Sequence, residues 1–214
     1  MSHRSESPIV FIHLPRTAGS SMGRAIEQAY GDRALRLKTL APITEDVVAR
    51  VGSHIQIIYG HMPHGLHRFM PVRYVTVLRE PIERSLSHFR LYQLQMQQKF
   101  GAKTPPTFEE FLDHHLAGNV QTRLLAGIGH PDSTPADAVA AAKRNLEDFE
   151  AVGFFDDIDG LARRIGIQTP IAHINHIAPR YSATEAELKQ LTTLNDQDIP
   201  LYRWALTRFQ VSSP

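Results

Sequence analysis

The chain has 214 residues, 42% hydrophobic and 21% charged, enough for one sizeable α/β core. A net charge of +1 with histidine neutral does not argue for a nucleic-acid partner, so any basic site must be local. Cysteine is absent, which excludes disulfides, thiolate catalysis and cysteine-based zinc sites.

No apolar run reaches the length of a membrane span, and residues 1–7 are polar, without the apolar core of a signal peptide. Residues 9–12, Ile-Val-Phe-Ile, read as a buried parallel strand. A turn punctuated by Pro15 and Gly19 follows, and then Met22, Ala25, Ile26 and Ala29 recur at helical spacing. Such a strand–loop–helix unit presents free backbone N–H groups at a helix N-terminus, which suits an anion. Thr17, Ser20 and Ser21 add hydroxyls, and Arg16 adds a fixed charge with planar donors.

Further along, 35–40 reads as a short strand and 42–51 as a helix with Thr44 as N-cap. A second buried strand, 55–59, runs into the loop Gly60-His61-Met62-Pro63-His64-Gly65. A third, 72–78, precedes Arg79-Glu80-Pro81 and a helix over 81–98 with Pro81 at N1. Residues 101–107 form a Pro-containing loop, expected to be mobile or to face an acceptor. Helices are expected over 108–116, 120–126, 132–150, 157–165, 184–194 and 198–209, with a strand at 151–155 and an extended stretch at 171–177. Strands interleaved with helices predict a mainly parallel sheet covered on both faces. The expected organisation is a flexible N-terminus over 1–8 and one domain over 9–214.

The first loop lacks the leading Gly of a nucleotide-binding P-loop, and no Lys follows Gly19. Pro15-Arg16-Thr17-Ala18-Gly19-Ser20-Ser21 resembles instead the 5′-phosphosulfate loop of sulfotransferases that use 3′-phosphoadenosine 5′-phosphosulfate (PAPS), with Arg16 in place of the usual Lys. A second motif, Arg79-x-Pro81-x-x-Arg84-x-x-Ser87, resembles the 3′-phosphate motif of the same family, with Glu80 for Asp and Phe89 for Tyr. The phosphate contacts map to Arg79 and Ser87, while Arg84 is expected to pair with Glu80 or Glu83. The glycan branch, which includes heparan and uronyl 2-O-sulfotransferases, also carries a Gly-His loop resembling Gly60-His61 and an Asn-x-x-Thr-Arg-x-Leu-x-Gly segment resembling residues 119–127.

The resemblance implies a P-loop-NTPase-like three-layer α/β/α fold. It implies PAPS as co-substrate and a hydroxylated acceptor, a glycan, glycolipid or other small molecule. His61 is the expected base, with His64 second and His13 third, since imidazole titrates near neutral pH; His13 reads more readily as a core or loop histidine. Arg16 would offset charge on the departing phosphate but, unlike Lys, cannot donate a proton. Arg68, Arg73, Lys99, Lys103 and Arg123 are candidate acceptor contacts, read for the most part as solvated charges; His64 and Arg123 are the two assigned to acceptor binding.

No metal is expected. His61, His64 and His67 are spaced three apart, but no His-Glu-x-x-His helix is present and Pro63 disfavours one. The rival readings are a P-loop-like nucleotide or nucleoside kinase and a non-catalytic protein that binds PAPS or another nucleotide. A kinase would need a P-loop Lys and an acidic Mg²⁺ ligand, and Arg79 stands where that acid would be. Without an anchor the chain is expected to be cytoplasmic and bacterial.

Overall fold

The inner strands of this protein are buried along almost their whole length, which is what a parallel sheet flanked by helices requires. The computed structural model describes residues 7–38, 43–49, 51–101, 104–129, 135–171 and 181–210. Within them, β1 (Ile9–Ile12), β2 (Ala34–Lys38), β3 (Ile57–His61), β4 (Arg73–Leu78) and β5 (Ala151–Phe154) form one sheet. Its order is β2-β3-β1-β4-β5 and every pairing is parallel. Ser7 and Pro8 are tied to β4, where Arg73 donates to both carbonyls at 3.0 Å.

Alternation along the strands divides the core in two. Val10, Ile12, Ile58, Tyr74, Leu78 and Val152 lie under α5 (Val120–Leu125), α6 (Ala138–Glu147) and α9 (Asp198–Phe209). Ile9, Phe11, Ile57, Tyr59, Val75 and Val77 lie under α1 (Gly19–Tyr30) and α7 (Ile158–Arg164). The result is the expected α/β/α sandwich with a parallel sheet. A third cluster, Phe89, Phe108, Phe111 and Leu191, joins α3 (Pro81–Phe100) to α4 (Phe108–Leu112) and α8 (Glu185–Leu194). That satellite core holds up α3 beside the strand ends.

Several boundaries differ from the sequence expectation. The strand expected at 55–59 runs Ile57–His61. Gly60 lets it continue: its φ is 147°, and a Cβ there would lie 1.7 Å from the Leu37 carbonyl of β2. The helix expected at 42–51 is only α2 (Glu45–Val48), and residues 39–42 and 50 lie outside the described residues. The helix expected at 108–116 stops at Leu112. The chain beyond is drawn inward by the buried Arg84, which donates to the carbonyls of Leu116 and Ala117 at 3.1 and 2.6 Å. The helix expected at 132–150 is seen as Ala138–Glu147, with 130–134 outside the described residues, and of the stretch 171–177 only Ile171 lies inside them.

β1 is central, and the chain leaves it first toward β3 and β2, then toward β4 and β5. The strand order therefore reverses at β1. In open α/β sheets, ligands sit at such a reversal, outside the C-terminal strand ends. His13 after β1, His61 at the end of β3 and Arg79 after β4 all emerge there.

Candidate active site

The loop after β1 is shaped for an anion by its backbone. Arg16 and Ala18 have φ of 70° and 65°, a left-handed conformation that costs a non-Gly residue of order 1–3 kcal/mol. Residues in that conformation turn successive N–H groups toward one point, the concavity that binds phosphates. Thr17 holds the turn, its hydroxyl donating to the Leu14 carbonyl at 2.8 Å. Ala18 gives α1 no side-chain cap, and the first turn of α1 carries no acid, so its N-terminal dipole is left for a ligand. Pro15 and Ser20 line the adjoining cleft, and Ser21 is buried behind them.

The two sequence motifs meet at this loop. Arg16 Nε donates to Ser87 Oγ at 3.0 Å, a contact between residues 71 apart. Arg79 Nη1 donates to the Arg16 carbonyl at 3.1 Å. The Arg79 guanidinium lies 4.1 Å over the Phe155 ring, and its Nη2 is 3.7 Å from the Glu83 carboxylate. Burial lowers the proton affinity of Arg16, and the positive charge of Arg79 lowers it further. Two guanidiniums beside a backbone concavity concentrate positive charge and planar donors at one point, which suits an anion.

Gln121 fixes Arg79 from behind and was missed in the sequence. Its Oε1 accepts from Arg79 N–H at 3.0 Å and its Nε2 donates to the Arg79 carbonyl at 2.9 Å. Gln121 is itself held by Asp198, which accepts the N–H groups of Gln121 and Thr122 at 3.2 and 2.7 Å. Asn119 Oδ1 accepts from Asp198 N at 3.1 Å, so the Asn119–Arg123 stretch braces α5 against α9. Only its glutamine reaches the site, and Gln121 is one of the variable positions of the motif, which is why the pattern gave no signal.

His61 sits at the end of β3 with its ring in the cleft. Its Nδ1 lies 2.8 Å from the His13 carbonyl. A carbonyl only accepts, so Nδ1 carries the proton and Nε2 is left as the basic nitrogen. The His13 ring stacks on His61 at 4.1 Å, and His13 N–H donates to the Gly60 carbonyl at 2.9 Å. Gly19 makes this possible, because a Cβ there would lie 1.6 Å from the His13 ring. Burial lowers the His61 pKa; the bond to His13 partly restores it, and Arg36 lowers it again. Burial holds His13 well below the ordinary imidazole value, with His61, Arg36 and Arg16 adding to it. Both rings are thus neutral near pH 7. The contact that sets the His61 tautomer comes from the His13 backbone carbonyl, which any residue at that position would supply.

Three expected residues lie elsewhere. His64 packs on the opposite face of the sheet among His67, Tyr74 and Phe149, at ring distances of 4.6, 4.5 and 5.7 Å. Desolvation, with help from His67 and Arg68, lowers its pKa to about 4. Arg123 is buried and donates to the His115 carbonyl at 2.6 Å. Arg84 does not pair with Glu80 or Glu83. It is fully enclosed, its pKa lowered to about 10 by burial, and bonded to the carbonyls after α4. Glu80 instead caps α3, accepting from Glu83 N at 2.7 Å. Of the surface cations proposed for an acceptor, Arg73 pairs with Glu150 at 3.1 Å.

The cleft between the strand ends and α3 encloses about 630 Å³. It is lined by His13 and Arg16 after β1, by Arg36 and His61 of β2 and β3, and by His88 and Gln95 of α3, beside the chain at 114–116. Among the described residues no three histidine or acidic side chains converge in a metal-binding arrangement, and no helix is long and apolar enough to cross a membrane.

No family model matches the chain, and no curated protein matches its sequence. Among solved structures, it is similar to mouse sulfotransferase SULT7A1 complexed with PAP, at 14% identity and a TM-score of 0.44 over 90% of this chain. The chain spans about 65% of the length of that protein. It is also similar to a retinol dehydratase in complex with androsterone and the inactive cofactor PAP, at 13% identity and a TM-score of 0.35, covering 96% of this chain and 82% of the other.

Proposed function

We propose that this chain is a sulfotransferase that moves the sulfuryl group of PAPS to a hydroxyl of a glycan or another small acceptor. The observation that carries the reading is the direct contact of the two phosphate motifs, Arg16 with Ser87 and Arg79 with the Arg16 carbonyl, beside a histidine whose Nε2 is left basic.

The residues take distinct roles. The loop N–H groups and Arg16 receive the 5′-phosphosulfate; Arg79 and Ser87 receive the 3′-phosphate. The acceptor oxygen attacks sulfur in line as the bond from sulfur to the 5′-phosphate oxygen breaks. The hydroxyl proton passes to His61 Nε2, and the bond electrons leave with the phosphate. Arg16 stabilises that departing charge electrostatically, the form of help a guanidinium can give without losing its proton. Holding donor and acceptor in line supplies the rest of the rate.

Calorimetry tests the donor site. Adenosine 3′,5′-bisphosphate should bind and ATP should not, because the reading assigns Arg79 and Ser87 to a 3′-phosphate that ATP lacks. Equal binding of ATP would falsify the PAPS reading. Transfer is then checked by mass spectrometry of hydroxylated acceptors incubated with PAPS, where an added sulfuryl mass must depend on His61.

A further inference from the structure

The α3 wall of the cleft carries a buried polar side chain with no hydrogen-bond partner among the described residues. His88 follows Ser87 on α3, lines the cleft and is only 6% exposed. Among the described residues neither of its ring nitrogens has a hydrogen-bond partner. Buried polar groups are nearly always paired, and one left unpaired is destabilising. Its neighbours explain the ring but not the nitrogens: Phe111 lies at 5.8 Å and His114 at 5.1 Å, both tilted ring contacts. A phenylalanine would fill the same space without leaving two nitrogens stranded.

We propose that His88 is an acceptor-binding residue, whose imidazole hydrogen-bonds a hydroxyl of a polyhydroxylated ring seated between it and His61. The inference rests on the sulfotransferase reading and adds to it the residue that holds the acceptor. Three observations support it. Burial, with the charge of Arg84 next and His114 after it, keeps the ring neutral, so it offers one donor and one acceptor, the pair a hydroxyl can use in either sense. Gln95, two helical turns along the same helix, lines the same cleft with a second donor–acceptor pair. Leu91 and Leu116 line it between and beside them, an apolar surface for the C–H face of a ring. The nitrogens are shielded from water in this conformation. The torsion that turns the ring is a broad one, and the proposed contact requires the ring to turn about it so that a nitrogen faces the cleft.

The probe is methyl β-D-glucopyranoside, added to the full chain saturated with adenosine 3′,5′-bisphosphate and read by saturation-transfer NMR. The unmodified protein and His88→Gln should bind it, and His88→Phe should bind it about tenfold more weakly, the loss of one hydrogen bond. In urea unfolding His88→Phe should be at least as stable as the unmodified protein, because it removes unsatisfied groups. A purely structural histidine gives the reverse pattern, lower stability with unchanged sugar binding, and overturns the proposal. Histidine labelled with ¹³C in the unmodified protein supplies a readout independent of any variant's folding. The His88 resonance should move on sugar addition, and a stationary resonance, or no binding of the sugar to the unmodified protein, also overturns it. Failure of the bisphosphate itself to bind strikes instead at the donor reading.

Discussion

His61 and His64 lie three residues apart, and the fold sends them to opposite sides of the sheet. His61 continues the alternation of Ile57 and Tyr59 and ends on the α1 side, at the strand end. His64 falls with Met62 and Leu66, on the side packed by α5 and α6. Both rings are desolvated, but only His61 has a backbone carbonyl to fix its tautomer and a cleft in front of its other nitrogen. Proximity in sequence to a strand end is therefore a weak guide to chemistry. The parity of the position decides which of two neighbouring histidines can meet a substrate.

The sharpest way to break this contrast is mutation of each ring. His61→Ala should lower turnover by about 10²–10⁴-fold, the usual loss with a general base, while bisphosphate affinity measured by calorimetry stays near the unmodified value. His64→Ala should leave the turnover of the folded protein near normal. The opposite ranking would assign the base to the wrong side of the sheet.

The arginines repeat the contrast at lower cost. Arg79→Ala should weaken adenosine 3′,5′-bisphosphate binding by about 10–150-fold, the worth of a charge-assisted contact of roughly 1.5–3 kcal/mol. Arg84→Met should instead lower the urea midpoint, since Arg84 satisfies the carbonyls of Leu116 and Ala117, and bisphosphate affinity should change little. A large affinity loss for Arg84→Met would place it in the donor site.

Stability against pH isolates the share of His64 without any substrate. The His64 imidazole titrates near 6.5 when unfolded and at about 4 when folded. Between those values the unfolded chain binds more protons, so stability should fall as pH drops through that window, by up to about 1.4 kcal/mol per pH unit for this group. Desolvation of the ring is what makes the difference, so His64→Phe should flatten the slope in urea unfolding measured from pH 7 to 4. His13, His61 and His88 are shifted in the same direction and should leave part of the slope.

Two smaller effects sharpen the picture of His61. Arg36 helps depress the pKa of His61, so Arg36→Gln should move the acidic limb of kcat/KM upward in pH. No acidic metal ligand accompanies the donor loop, so EDTA should leave turnover unchanged, and a loss restored by added metal would favour a kinase-like or metal-dependent reaction.

Much of the architecture was legible in advance because its signals are local. Apolar runs of β-branched residues and Pro81 at a helix start act within a few residues. The boundaries that moved were those set by distant partners. β3 reaches His61 because Gly60 meets the Leu37 carbonyl, and the chain after α4 turns early because Arg84 lies beneath it.

The same division holds for the site. By itself the sequence determined a Pro-, Gly- and hydroxyl-containing loop between the first strand and helix, a second cluster of basic and hydroxyl groups after a later strand, and a Gly-His pair at a strand end, since residue type and spacing alone specify those groups. The tertiary structure decided what they become. The meeting of Arg16 with Ser87, the His13 carbonyl on His61, the clamp of Gln121 on Arg79 and the removal of His64, Arg84 and Arg123 into the interior all depend on strand order and side-chain parity. Those contacts join residues tens of positions apart, and only the placement of β1 between β3 and β4 brings them to one point.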